Sequence, residues 1–138
     1  MSNSPRNQFK GKVVEVVKGP VMSEVDVETA AGVVTAVITS RSLERLALSV
    51  GTEVVALAKA TDVAIELPGA AGSSFRNQFS GTVSEVVDGQ VMSEVDVDSA
   101  VGPLTAMVTA RSIARLGLKP GTAVVVAIKA TELAIELA

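Results

Sequence analysis

Apolar and polar residues alternate along much of this chain with the two-residue period of strands that bury one face. In Met22 to Glu28, Val25 and Val27 fall on one side while Glu24, Asp26 and Glu28 fall on the other. A β-rich run from Phe9 to Val17 precedes it and ends at the turn signal Lys18-Gly19-Pro20. Ala31-Gly32 turns the chain again, and Val33 to Thr39 reads as a third strand. Leu43 and Leu46 then stand three apart behind a Thr/Ser-rich start, which predicts one short helix over Ser42 to Leu46. After the turn at Ser49-Val50-Gly51, two further strands are predicted over Glu53–Lys59 and Thr61–Leu67. Five short strands with one helical turn between the third and fourth describe an OB-like barrel.

The whole pattern occurs twice, at an offset of 70 residues. Arg6–Leu67 aligns with Arg76–Leu137 without a gap, with 38 identities in 62 positions. Arg6-Asn7-Gln8-Phe9 returns as Arg76-Asn77-Gln78-Phe79, and Lys59-Ala60-Thr61 returns as Lys129-Ala130-Thr131. The expected organisation is therefore all-β: a first module over 1–67, a small flexible linker over 68–74, and a second module over 75–138.

Composition narrows the chemistry. The 138 residues include no Cys, His, Trp or Tyr, which removes disulfides, thiolate or imidazole metal sites and every nucleophile–His pair. A net charge of −3 argues against a general phosphate-backbone binder. With only three Phe for base stacking, an OB-fold nucleic-acid binder ranks last. Uncharged runs such as Thr29 to Ser40 are far short of the roughly 18 apolar residues of a membrane-spanning helix. The first residues carry no apolar signal core, so a cytoplasmic protein is expected. A module this small hides only about 60% of its unfolded surface. Its Val-, Ala-, Ile- and Leu-rich content exceeds what one small barrel can hide, which predicts a homo-oligomer.

Three groups of polar residues stand out. Lys59 and Lys129 each follow an apolar strand. Each is either a strand-end lysine snorkelling to water or a point charge with three donors in a poorly solvated barrel end. Thr39, Ser42, Thr109 and Ser112 sit where strand passes into helix, as helix caps, as anion donors, or as both. Ser4, Arg6 and Asn7, with Ser74, Arg76 and Asn77, precede the first strand of each copy. They read as a solvated lead-in or as a hydroxyl, a guanidinium and an amide (or its backbone N–H) suited to a tetrahedral oxyanion. The alternating acids Glu24, Asp26 and Glu28 read as a solvated sheet face rather than an acid–base pair, and no enzymatic activity is expected.

In these residues the chain resembles the molbindin (Mop, or TOBE-type) family. The shared pattern is Ser4-x-Arg6-Asn7-Gln8, Gly11-x-Val13-x-Glu15-Val16, Val21-x-x-Glu24-Val25, Thr39-x-x-Ser42, Leu48-x-x-Gly51 and Lys59-Ala60-Thr61, met again in the second copy. The resemblance implies a tandem molbindin that binds molybdate or tungstate without a cofactor, serving cytoplasmic molybdenum storage and homeostasis. It also implies a trimer with oxyanion sites between modules, and no nucleic-acid or membrane partner. Carried over by position, Ser4, Arg6 and Asn7 (Ser74, Arg76 and Asn77) would supply donors at the lead-in. Thr39 and Ser42 (Thr109 and Ser112) would add hydroxyls, and Lys59, Ala60 and Thr61 (Lys129, Ala130 and Thr131) would close the site. The chain departs from the family at Pro5 and Phe75, where Ala is common, and at Met22-Ser23 and Met92-Ser93, where Asn-Ala is common. The alternative is a molybdate-sensing interaction module that acts with a separate transporter or regulator.

Overall fold

A computed structural model describes residues 6–30, 32–69 and 74–138. The first repeat runs β1 (Arg6–Val17), β2 (Met22–Thr29), β3 (Gly32–Thr39), α1 (Ser40–Arg45), β4 (Glu53–Lys59) and β5 (Val63–Glu66). The second runs β6 (Asn77–Val87), β7 (Met92–Ser99), β8 (Gly102–Thr109), α2 (Ala110–Leu116), β9 (Ala123–Ile128) and β10 (Ala134–Leu137). Short 3-10 turns, Ala60–Asp62 and Ala130–Glu132, separate the last two strands of each repeat. Thr61 and Thr131, placed in the final strand by the sequence pattern, lie in these turns instead. Each turn tightens where a strand must change sheet.

That change of sheet is the main departure from a simple tandem. The sheets run β10-β4-β1-β2-β3 and β5-β9-β6-β7-β8. The fifth strand of each repeat therefore completes the sheet of the other. β10 pairs antiparallel with β4 through Ala134↔Leu57 to Leu137↔Val54. β5 pairs with β9 through Val63↔Ile128 to Glu66↔Val125. Contacts between the edge strands β10 and β3, and between β5 and β8, curl each sheet into a barrel.

Side-chain alternation sets the register. Ser23, Val25 and Val27 point inward from β2, and Ser93, Val95 and Val97 do so from β7. The outward Asp26 and Asp96 accept hydrogen bonds from Thr35 and Thr105 at 2.7 and 2.9 Å. Both long first strands carry a bulge, at Val13/Glu15 and Val83/Glu85, that raises local twist and helps closure. Gly11 and Gly81 lie where neighbouring backbone approaches too closely for any Cβ.

The buried apolar side chains of both repeats form a single cluster. Phe9 and Phe79, at equivalent positions in β1 and β6, meet with ring centroids 6.3 Å apart, in the range of favourable aromatic pairs. Each small barrel thus leans first on its sister repeat. No helix among the described residues is long and apolar enough to cross a membrane.

The two helices end differently. Gly117 takes the left-handed conformation at φ 65°, whereas its counterpart Ala47 takes φ 53° with a Cβ. Replacing Ala47 by Gly relieves that steric cost, partly offset by glycine's greater freedom in the unfolded chain. Ala47→Gly is expected to stabilise the fold by about 0.5–1 kcal/mol and Gly117→Ala to destabilise it by a similar amount. Urea denaturation of the two variants checks this, and a loss of stability in Ala47→Gly contradicts it.

Candidate functional site

The crossing strands decide which polar residues meet. Lys59 ends β4, Lys129 follows β9, and each caps the 3-10 turn that carries its chain into the other sheet. The turn Ala60–Asp62 packs against β8, and Ala130–Glu132 packs against β3. Lys59 consequently shares a cavity of about 310 Å³ with Thr131, Glu132, Leu133 and Ala134. Lys129 shares one of about 240 Å³ with Thr61, Asp62, Val63 and Ala64. The lysine, the threonine, both acids and the two residues after the turn correspond between the cavities, whereas Leu57 and Glu136 line only the first and Phe75 only the second. Sequence reasoning grouped Lys59 with Thr61 and Lys129 with Thr131, whereas the strand exchange groups each lysine with the threonine of the opposite repeat.

The ammonium groups are available. Both lysines are exposed, and neither forms an ion pair among the described residues. The Lys129 Nζ lies 6.0 Å from the centroid of Phe75, within cation–π range. Ala60 is buried and Ala130 half-buried at the starts of the turns.

Thr39 and Thr109 act as helix caps, each accepting from the backbone N–H of the serine three residues on at 3.1 Å. Each also donates to that serine's Oγ at 2.9 Å. The hydroxyl hydrogens of Ser42 and Ser112 find no acceptor among the described residues and are free to donate outward. Thr109 and Ser112 line a separate cavity of about 290 Å³ with Ala64, Ile65 and Met92. One chain does not bring the helix-start hydroxyls into the lysine cavities.

The lead-in residues divide. Ser4 and the side chain of Arg6 lie outside the described residues. Ser74 and Arg76 are exposed, and the Arg76 guanidinium stands 3.9 Å from the Glu24 carboxylate of the other repeat. Asn7 and Asn77 are buried, and their side-chain amides are already engaged. Asn77 Oδ1 accepts from the Thr35 N–H at 2.8 Å while its Nδ2 donates to the Thr35 carbonyl at 2.8 Å. Asn7 does the same to Thr105, at 2.7 and 2.8 Å. Each amide mimics a strand peptide and fastens its sheet to the third strand of the other repeat. The side-chain amides of both residues thus act as structural clamps, because no amide hydrogen is left over for a ligand once these carbonyls are satisfied.

Sequence reasoning missed the acids after Lys-Ala-Thr. Asp62 and Glu132 each line both lysine cavities, and Glu136 lines the Lys59 cavity. A signal was present, since an acid follows that motif in both repeats. Outside these cavities, Lys18 hydrogen-bonds the Glu44 carboxylate at 2.6 Å and its charge adds to the effect, holding that carboxyl below its ordinary value. Glu44 belongs to α1, which lines neither lysine cavity.

Residues 3–65 and 73–135 each match the TOBE domain. The molybdenum transport protein ModE of Azotobacter vinelandii is 39% identical over 125 residues, covering 89% of this chain and 46% of that protein. Molybdenum-pterin-binding protein 3 of Clostridium pasteurianum is 53% identical over 66 residues, covering 47% of this chain and 97% of that one. This chain thus spans about half the length of the ModE relative and about twice that of the single-repeat one. Among solved structures, the cytoplasmic molybdate-binding protein ModG, with molybdate bound, superposes with a TM-score of 0.93 at 38% identity over the full length of both chains.

The clamp assignment carries a stability prediction. Asn77→Ala leaves a buried N–H and C=O of Thr35 unpaired, for an expected loss of about 2–4 kcal/mol. Asn77→Asp sets a buried carboxylate against the Thr35 and Ile128 carbonyls, so a loss at least as large is expected at neutral pH. A loss below about 1 kcal/mol for the alanine variant in urea melts would contradict a clamp role.

Proposed function

The chain belongs to the TOBE-domain family, and from that premise we propose that it is a cytoplasmic binding protein for molybdate, with tungstate as an alternative guest, serving molybdenum storage and buffering without catalysis. The observation that carries the reading is the pair of repeat-related cavities, each joining a threonine of the other repeat to a lysine that forms no ion pair among the described residues. Their setting in a fold shared end to end with molybdate-bound ModG supports it.

The chemistry follows from the ion. A tetrahedral dianion loses hydration on binding, and that cost is offset only when its oxygens gain donors. Lysine supplies charge-assisted donors, and hydroxyls and turn N–H groups supply neutral ones. No step requires a metal ligand or a redox partner.

A second copy completes the donor set in this reading. Val17, Val21 and Met22 are exposed, as are their counterparts Val87, Val91 and Met92. Met22 pairs with Thr39 and Met92 with Thr109 across the ladders, so each apolar patch borders a helix start. Packing another copy there would remove apolar surface from water and bring Ser42 or Ser112 toward a neighbour's lysine cavity. A trimer, the assembly implied by the family resemblance, is the proposed form.

One observation favours a second reading. The ModE relative is about twice as long as this chain, as expected if the same pair of repeats also serves as a molybdate-responsive part of a larger machine. Here that role would need a separate transporter or regulator. Capture of such a protein that depends on molybdate would favour this reading.

Equilibrium dialysis tests the main proposal. Wild-type protein is expected to take up molybdate in the presence of excess sulfate. Lys59→Ala and Lys129→Ala are each expected to weaken one set of sites by about 10- to 100-fold, the worth of a hydrogen bond to a charged group. No uptake by the wild type, or unchanged uptake by the double variant, would overturn it.

A further inference from the structure

The two lysine cavities share a wall, and the wall is acidic. Asp62 and Glu132 border both cavities, and Glu136 adds a third carboxylate beside Lys59. One ammonium therefore faces three carboxylates in the Lys59 cavity and two in the Lys129 cavity. None of these acids pairs with either lysine: the ion pairs among the described residues are Lys18–Glu44 and Arg76–Glu24. The acids thus form no ion pair with the ammonium groups, yet line the cavities proposed to hold the dianion.

Asp62 and Glu132 occupy equivalent positions in the two crossing turns. Because each turn packs on the third strand of the other repeat, each carboxylate reaches the cavity of its own repeat's lysine as well as that of the other. Strand exchange thereby makes a shared electrostatic element out of two ordinary turn residues. The alternative role, a carboxylate complementing the free N–H groups of the turn's first residues, concerns stability alone.

We propose that Asp62 and Glu132 limit the affinity of both oxyanion cavities at once. The proposal rests on the molybdate-binding reading above. Like charges raise the free energy of the bound dianion, so the guest stays exchangeable, as buffering demands. An anion in one cavity is opposed by the same two carboxylates that oppose an anion in the other. Two dianions separated by this wall also repel each other, so the second binds more weakly than the first. Solvent and salt screen a partly exposed wall, which keeps the effect moderate.

The test is molybdate titration of the full chain by calorimetry, for the wild type, Asp62→Asn and Glu132→Gln. These amides keep the side-chain shape. Each single substitution is expected to tighten both sets of cavities by about two- to fivefold at low salt, with the gain shrinking in 0.5 M sodium chloride, a screening effect. Urea melts run alongside separate a turn-stability role, which would move the midpoint and leave affinity alone. Tightening of only one set of cavities overturns the shared wall. Unchanged or weaker binding in both variants, with a wild type that still binds, overturns the acidic wall and leaves the binding function standing. A wild type that takes up no molybdate removes the binding function itself, and the wall with it.

Discussion

Exchange of the fifth strand is the constraint on which this molecule depends. A five-stranded barrel missing one strand presents an open edge of unpaired N–H and C=O groups. Each repeat here closes the other's edge with its own last strand, through four register pairs on either side. The two barrels therefore cannot separate without exposing both edges and the Phe9–Phe79 contact between them. The Asn7 and Asn77 amides add a second fastening that works in the same reciprocal way. One continuous core across two short repeats is the result, and it answers the shortage of buried area that each repeat would face alone.

The same exchange produces the candidate binding chemistry. A chain that leaves one sheet for another needs a tight turn between them, and in both repeats that turn follows a lysine and begins with Ala-Thr. Each lysine is thereby held at the end of a strand, while the hydroxyl facing it arrives from the opposite repeat. The proposed site is thus a product of topology: the residues proposed to recognise an oxyanion are those that carry out the crossing. The acids that follow them, Asp62 and Glu132, line both cavities.

Much of this was readable from the sequence, for definite reasons. The alternation in Met22–Glu28 fixed which faces of β2 are buried, because period two has only two outcomes. The helix start at Thr39 was visible because a hydroxyl before an apolar i, i+3 pair has a local physical role. The exchange was not readable, since Val63–Glu66 carries the same apolar pattern whichever sheet it joins. That one ambiguity explains why Thr61 and Thr131 line the cavity of the opposite repeat's lysine. It also explains Asn7 and Asn77, whose backbone partners Thr105 and Thr35 lie in the opposite repeat. A buried amide clamp and an exposed amide donor have identical sequence signatures. Only the third dimension distinguishes them.

The central claim is that the crossing turns are both the hinges of the strand exchange and the seat of the oxyanion. Hydrogen exchange read by mass spectrometry, with and without saturating molybdate, addresses it most directly, because amide protection reports local opening segment by segment. The account predicts that molybdate slows exchange chiefly over Lys59–Ile65 and Lys129–Ile135, in both repeats together. Protection confined to the Glu24–Glu28 and Glu94–Asp98 strands, with the crossing segments unchanged, would contradict it.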